Sequence, residues 1–253
     1  MTLIQLVDLH KTFQVQQEPV QVLDGLSFTV EAGEFVCIIG PSGCGKSTLF
    51  NLLAGLEQPD RGRVWIDGAD VTGQRGLVSY MPQRDALLPW RSVVENAVLP
   101  AIVRGDDVAT ARHEARQLLG VFGLEGFGDT RPDALSGGMK QRAALLRTVL
   151  WNRPIMLLDE PFGALDALTR TQMQQWLLGL WDRLERTIVF ITHDVEEALL
   201  LADRVVVMTS RPGRIALHLQ VPLPRPREIS VVATPEFARL KAQLLRSLGA
   251  MAA

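Results

Sequence analysis

No apolar run in this sequence approaches the roughly 18 residues that a membrane-crossing helix needs. A helical span is therefore excluded, and any service to a membrane is expected to come from its surface. Cysteine is scarce. The two present, Cys37 and Cys44, fall in one strand-turn unit with poor geometry for a disulfide, which suits a reducing cytoplasm. Charge of one sign is also lacking: the formal net charge of -2 argues against the basic face that nucleic acid requires. The first residues, MTLIQLVDLHKTF, are charged too early for a secretory signal. Internal repeats and low-complexity segments are missing as well. What remains is the composition of an ordinary globular protein, 253 residues long and 47% apolar, enough for one large domain or two small ones.

The order of patterns defines a fold class. LIQLVDLHKTF and VQVLDGLSFTV alternate apolar and polar residues around a polar QQEP turn, as half-buried strands do. FVCII is a buried strand, followed by a glycine loop and the helix KSTLFNLLAG. RGRVWIDG and GLVSYM read as short strands. From about residue 85 to 135 helical spacing takes over, in VVENAVLPAIVR and VATARHEARQLLGVF, as an inserted helical subdomain. Helices and continuous apolar strands then alternate: SGGMKQRAALLRTVLW, IMLLD, ALTRTQMQQWLLGLWDRL, TIVFIT, VEEALLLA and DRVVVMT. Such alternation implies an α/β fold whose mostly parallel sheet is covered on both faces. The expected division is a main domain over 1–225 and a short helical tail over 226–253, extended at VPLPRPREIS and amphipathic at PEFARLKAQLLRSL.

Three stretches carry chemistry. GPSGCGKST (Gly40, Pro41, Ser42, Gly43, Cys44, Gly45, Lys46, Ser47, Thr48) fits the P-loop pattern between a strand and a helix. Its glycines let backbone N–H groups converge on a phosphate; Lys46 is placed to reach the β- and γ-phosphates and Ser47 to ligate Mg²⁺. A plain glycine turn would not need that lysine. The strand IMLLDEP ends in two acids. Asp159 is suited to the Mg²⁺ shell and Glu160 to activating a water as general base, although the pair could instead cap the next segment. LSGGMKQR provides a second anion-binding helix start at Ser136, Gly137 and Gly138. One triphosphate needs only one such site, so the two would share a nucleotide only across a dimer interface. The body of that helix, with Met139, Ala143, Leu146 and Leu150, is an ordinary buried stripe.

LSGGMKQR closely resembles the signature motif of ATP-binding cassette (ABC) ATPases, and nearly the whole chain follows that family's motif order. The resemblance implies a P-loop NTPase fold (a RecA-like mostly parallel sheet) with an N-terminal antiparallel β subdomain and an inserted helical subdomain. It also implies ATP and Mg²⁺, and a head-to-tail homodimer in which Ser136, Gly137 and Gly138 meet the partner's nucleotide. Gln83 matches the glutamine that contacts Mg²⁺ and the attacking water, His193 the switch histidine, and Asp166 the D-loop that crosses to the partner. Phe13 matches the aromatic that stacks on adenine, where the family often has tyrosine; by pattern alone it is equally a core residue. Asp194 and Glu197 read as a capping box. Cys44 fills a small variable position in the loop, where a thiol reagent is expected to inhibit.

LLPWRSVVEN, DEPFGALDALTR, ITHDVEEALLLADRVVVM and SRPGRI look like the nitrate, sulfonate and taurine branch of bacterial importers. That resemblance implies a cytoplasmic, peripheral ATPase subunit, partnered by a membrane permease and indirectly by an extracytoplasmic binding protein. The apolar knot Leu87, Leu88, Pro89 and Trp90 is either core of the insertion or a docking groove for a permease helix, near Gln83–Trp90. The competing reading is a soluble ABC ATPase of cofactor assembly.

Overall fold

The computed structural model describes residues 1–184 and 186–249; residues 250–253 of the expected tail lie outside them. Strands β1 (Thr2–Val15) and β2 (Glu18–Glu31) form a long antiparallel hairpin. At its turn Gln16 and Gln17 have φ of 51° and 71°, the positive pair whose twist suits a two-residue hairpin. β4 (Arg61–Ile66) and the short β5 (Ala69–Asp70) extend this sheet in the order β2-β1-β4-β5. Between them in the chain lie β3 (Phe35–Ile39) and α1 (Lys46–Leu53). After β6 (Ser79–Met81) come α2 (Val93–Ala97), α3 (Leu99–Arg104) and α4 (Val108–Leu118), the helical insertion. The chain then alternates through α5 (Gly137–Leu150), β7 (Ile155–Asp159), α6 (Ala167–Leu184), β8 (Thr187–Ile191), α7 (Val195–Leu201) and β9 (Arg204–Met208). It ends with β10 (Ile215–Gln220) and α8 (Pro235–Gly249).

The second sheet has the order β10-β9-β3-β8-β7-β6, parallel except for β10. Every residue of β3, β7, β8 and β9 is buried, as both-face coverage demands. β3 shows how the layers divide. Phe35, Cys37 and Ile39 face one core with helices α5 to α8, whereas Val36 and Ile38 face a second core shared with the antiparallel sheet and α1. The order β3-β8-β7 also sets three strand ends side by side: the P-loop strand, the strand before His193 and the acidic strand. This is the expected fold class.

Local details differ from the sequence reading. VVENAVLPAIVR breaks into α2 and α3 at Val98, because Pro100 sits at the start of α3 where its missing N–H costs nothing. GLVSYM contributes only Ser79–Met81 to a strand. IALHLQ, not anticipated as a strand, pairs antiparallel on the sheet edge as β10; it buries only Leu219 fully, so its apolar signal is weak.

The tail shares the main core: Phe237, Leu240 and Leu244 of α8 are buried there. Its entry is fixed by Arg227, whose side chain is 1% exposed. The guanidinium donates to the carbonyls of Leu199, Leu200 and Ala202 at the end of α7, and to those of Val221 and Leu223. Burial pushes its pKa down only to about 10, so it stays charged at neutral pH. These carbonyls would otherwise be unpaired. Arg227→Ala should therefore lower unfolding stability in urea by about 3 kcal/mol or more, and Arg227→Lys should not restore it, since an ammonium cannot span that fork. A loss under about 1 kcal/mol would show the cage to be dispensable.

Candidate functional site

The loop 40–48 leaves β3 and wraps toward the start of α1. Gly45 has φ 105°, and a Cβ there would meet Leu23 Cδ2 at 2.8 Å and Val22 Cγ1 at 2.9 Å; only glycine closes the turn. Lys46 is 8% exposed. Its Nζ donates to the carbonyls of Gly40 at 2.8 Å and Pro41 at 3.0 Å, so the ammonium is held inside the curl of the loop. Arg211, on the connection from β9 to β10, ties the other side by donating through Nε and Nη2 to the Gly43 carbonyl. The sequence reading did not single out Arg211. Its only signal was a second cation in SRPGRI, and nothing local linked it to a loop so far away in the chain.

Cys44 is 1% exposed, with Sγ 3.8 Å from Lys46 Nζ. The expected attack by thiol reagents does not fit a side chain packed beneath the loop. Cys37 and Cys44 are both free.

Beside the loop, β7 delivers its two acids. Asp159 is 2% exposed, and burial raises its pKa to about 6; the Ser47 hydroxyl opposes that shift, Glu160 adds to it and Lys46 opposes it. Asp159 Oδ2 has no hydrogen-bond partner. An orphaned carboxylate oxygen next to a serine hydroxyl is a hard oxygen-donor pair suited to Mg²⁺ completed by phosphate and water. Glu160 turns the chain with φ 48°, a left-handed conformation that costs a non-glycine residue about 1–2 kcal/mol. The turn brings its carboxylate into the cleft. There Oε2 accepts from Gln83 Nε2 at 3.3 Å and lies 3.5 Å from His193 Nδ1.

Ser42, Gly43, Gly45, Lys46, Ser47, Thr48, Gln83 and Glu160 line one cleft of about 420 Å³; Asp159 lies buried behind it, and His193 lines a small adjoining pocket that shares Glu160. The outer wall of the cleft is Phe13, Val15, Val20 and Val22 of the β1–β2 hairpin. Phe13 is half-buried, with Lys11 Nζ 5.0 Å from its ring centroid. An apolar wall joined to a cationic, N–H-rich floor can take a flat aromatic group at one end and phosphates at the other.

Ser136, Gly137, Gly138 and Asp166 do not line this cleft. Ser136 caps α5, accepting from Met139 N–H at 3.2 Å, and Ser136 and Gly137 are exposed. Asp166 caps α6 through Thr169 N–H, and those bonds hold its pKa low. At α7 the expected capping box is half formed. Asp194 accepts from the N–H groups of Glu196 and Glu197, but Glu197 turns inward, is 5% exposed and accepts from Gln174 instead. The apolar knot divides too: Leu87 is core, Leu88 is fixed by the Asn96 amide, and Trp90 is 66% exposed. Leu87 thus follows the core alternative, whereas Trp90 does not.

The raised Asp159 pKa makes a stability prediction. Between its ordinary 3.8 and about 6, the folded chain holds a proton that the unfolded chain has released, so stability falls as pH rises through that window. Asp159→Asn should raise the Tm of the nucleotide-free protein at about pH 7.5 by several degrees, with the gap closing toward about pH 5. Equal Tm values at both pH values would contradict a buried, unpaired carboxylate.

Comparison with known proteins agrees with this geometry. Residues 23–163 match the family model described as ABC transporter. The chain is 49% identical over 229 residues to the aliphatic sulfonates import ATP-binding protein SsuB 1 of Mesorhizobium japonicum, covering 90% of this chain and 83% of that one. It is 47% identical over 201 residues to the formylaminopyrimidine import ATP-binding protein ThiZ of Halalkalibacterium halodurans, covering 79% and 78%. The dimeric, post-hydrolysis structure of the ATP-binding cassette MJ0796 with ADP and Pi superposes with a TM-score of 0.80 at 30% identity, covering 87% of this chain and all of that one. A strand-borne phosphate loop, an acidic strand end and a signature helix in one fold, with this degree of identity, establish that the chain belongs to the ABC transporter family as an ATP-binding protein and ATPase.

Proposed function

We propose that this chain is the ATP-hydrolysing subunit of a bacterial importer and drives a separate membrane permease. The observation that carries the reading is the convergence of Lys46, Ser47, Gln83 and Glu160 on one cleft, with Asp159 buried behind Ser47 and His193 3.5 Å from Glu160 on its other side. Residues 40–48 cradle the phosphates, with Lys46 leaving its two loop carbonyls for the β- and γ-oxygens. Phe13 stacks on adenine. Ser47, Asp159 and Gln83 hold Mg²⁺, which supplies positive charge to the phosphate oxygens. Glu160 takes the proton of the attacking water, Gln83 orients that water, and His193 donates toward the γ-phosphate. Ser136, Gly137, Gly138 and Asp166 serve the nucleotide of a second copy in a head-to-tail dimer, which fits the exposure of Ser136, Gly137 and Asp166 away from their own cleft.

Residues 1–225 act as the ATPase domain, with 85–135 as a helical subdomain that moves with the glutamine loop, and 226–253 as a tail. A cavity of about 390 Å³ lies between this subdomain and the sheet. Leu56, Tyr80, Leu99, Pro100 and Val103 make it apolar, Arg147 gives it a charged rim, and Ala86 joins it to the glutamine loop. Its size and character suit a short helix of the permease. The cavity adjoins the Gln83–Trp90 segment rather than being formed by the LLPW knot. No helix among the described residues is long and apolar enough to cross a membrane. The cargo is a small anion or small organic solute of the sulfonate or pyrimidine-precursor type, chosen by the permease and an extracytoplasmic binding protein.

Glu160→Gln should retain ATP binding while steady-state hydrolysis falls by about 10²- to 10⁴-fold; normal turnover would refute its role as base. Lys46→Ala should lose ATP affinity in a fluorescent-nucleotide titration, and unchanged affinity would contradict the phosphate assignment. Val103→Asp, in the cavity wall, should abolish solute uptake in cells while the purified protein still hydrolyses ATP; unchanged uptake would remove the docking site.

A further inference from the structure

Helix α5 begins at the exposed Ser136, and one turn later it buries Gln141, which is 7% exposed. The Gln141 amide is used at both ends. Nε2 donates to the Glu160 carbonyl at 2.9 Å, and Oε1 accepts from the Ala164 N–H at 3.0 Å. One side chain thereby clamps the end of the acidic strand to the segment that leads to Asp166. Glu160 needs such a clamp, because its left-handed φ of 48° is not one a glutamate adopts unaided. Its N–H donates to the Ile191 carbonyl and its carbonyl also accepts from Gly163 N–H. Among the described residues, Gln141 is the one side chain that hydrogen-bonds to the Glu160 backbone.

The same helix reaches further. From Arg147, two turns on, the guanidinium donates to the carbonyls of Asp85 and Ala86 at 2.7 Å each, in the loop that follows Gln83. One rigid element therefore carries the Ser136–Gly138 start, the hold on Glu160 and Ala164, and the hold on the glutamine loop.

We propose that Gln141 is a positioning residue for hydrolysis: it holds Glu160 in its left-handed turn, so that engagement of the α5 start by a nucleotide is felt at the helix's own Glu160 and at the Ala164–Asp166 segment. This rests on the reading of Glu160 as the base. Glutamine is the residue that fits, since the position needs one donor and one acceptor of fixed polarity. Gln141→Glu keeps the acceptor for Ala164 but sets a carboxylate oxygen against the Glu160 carbonyl, and Gln141→Met removes both bonds at similar volume.

In steady-state hydrolysis both variants should lose about 10- to 100-fold in kcat, as displacement of a reacting group does, with the KM for ATP within about twofold of wild type. A merely structural residue would move KM and Tm together with kcat. Turnover within about twofold of wild type in either folded variant, or a KM that rises as much as kcat falls, would overturn the proposal. Hydrogen exchange on the wild-type protein tests it without any variant. The Ala164 amide lies in an exposed segment, and it should exchange slowly because Gln141 holds it; rapid exchange would overturn the clamp. If Glu160→Gln itself turns over normally, the reading of the base fails. If that variant is inactive while Gln141→Met hydrolyses normally, only the present inference fails.

Discussion

A strand buried at every residue has to end in two carboxylates without disrupting the core it belongs to. β7 does this at two costs. Asp159 is held out of water with one oxygen unpaired, and Glu160 is held in a left-handed turn. Each is unfavourable by itself. Both are tolerated because β7 lies between β6 and β8 in a sheet covered on both faces, so neither residue can relax without moving the core. The same two costs leave an unpaired carboxylate beside the phosphate loop and a second carboxylate aimed into the cleft. On the proposed function, a cation or a reacting water would meet groups already in position.

The sheet order then decides which loops share that cleft. β8 lies between β3 and β7, so His193 arrives between the phosphate loop and the acidic pair, 3.5 Å from Glu160 Oε2. Gln83 arrives from β6 on the far side of β7. The signature start at Ser136–Gly138 is directed elsewhere, and only Gln141 behind it turns back toward Glu160. On the proposed function, a single chain presents half of each of two sites, with α5 running between the halves.

Much of this was legible in the sequence because it is local. A strand, glycine loop and helix in direct succession define the phosphate cradle. Two acids at the end of an apolar run mark the strand terminus, and Ser136 before two glycines marks a helix cap. What was missed is what depends on pairing between distant segments. β10 is an edge strand with a single fully buried residue, too weak a pattern to stand out. Arg211 matters only because the β9–β10 connection folds back on Gly43. Gln141 reads as one more polar residue on a helix until the acidic strand is set beside it. Glu197 was assigned to a cap by its spacing from Asp194, but burial against α6 and Gln174 took its side chain inward. Burial also divides the apolar knot, with Leu87 drawn into the insertion core while Trp90, three residues on, stays outside.

On the proposed function, neither cleft is complete within one chain. Sedimentation velocity of the Glu160→Gln protein with ATP and Mg²⁺, against the same protein without nucleotide, tests it most directly. The account predicts monomer without nucleotide and a dimer holding two ATP molecules with it, with wild-type turnover per chain rising with protein concentration. A protein that stays monomeric at saturating ATP, and whose wild-type form hydrolyses it at a rate independent of concentration, would contradict the account.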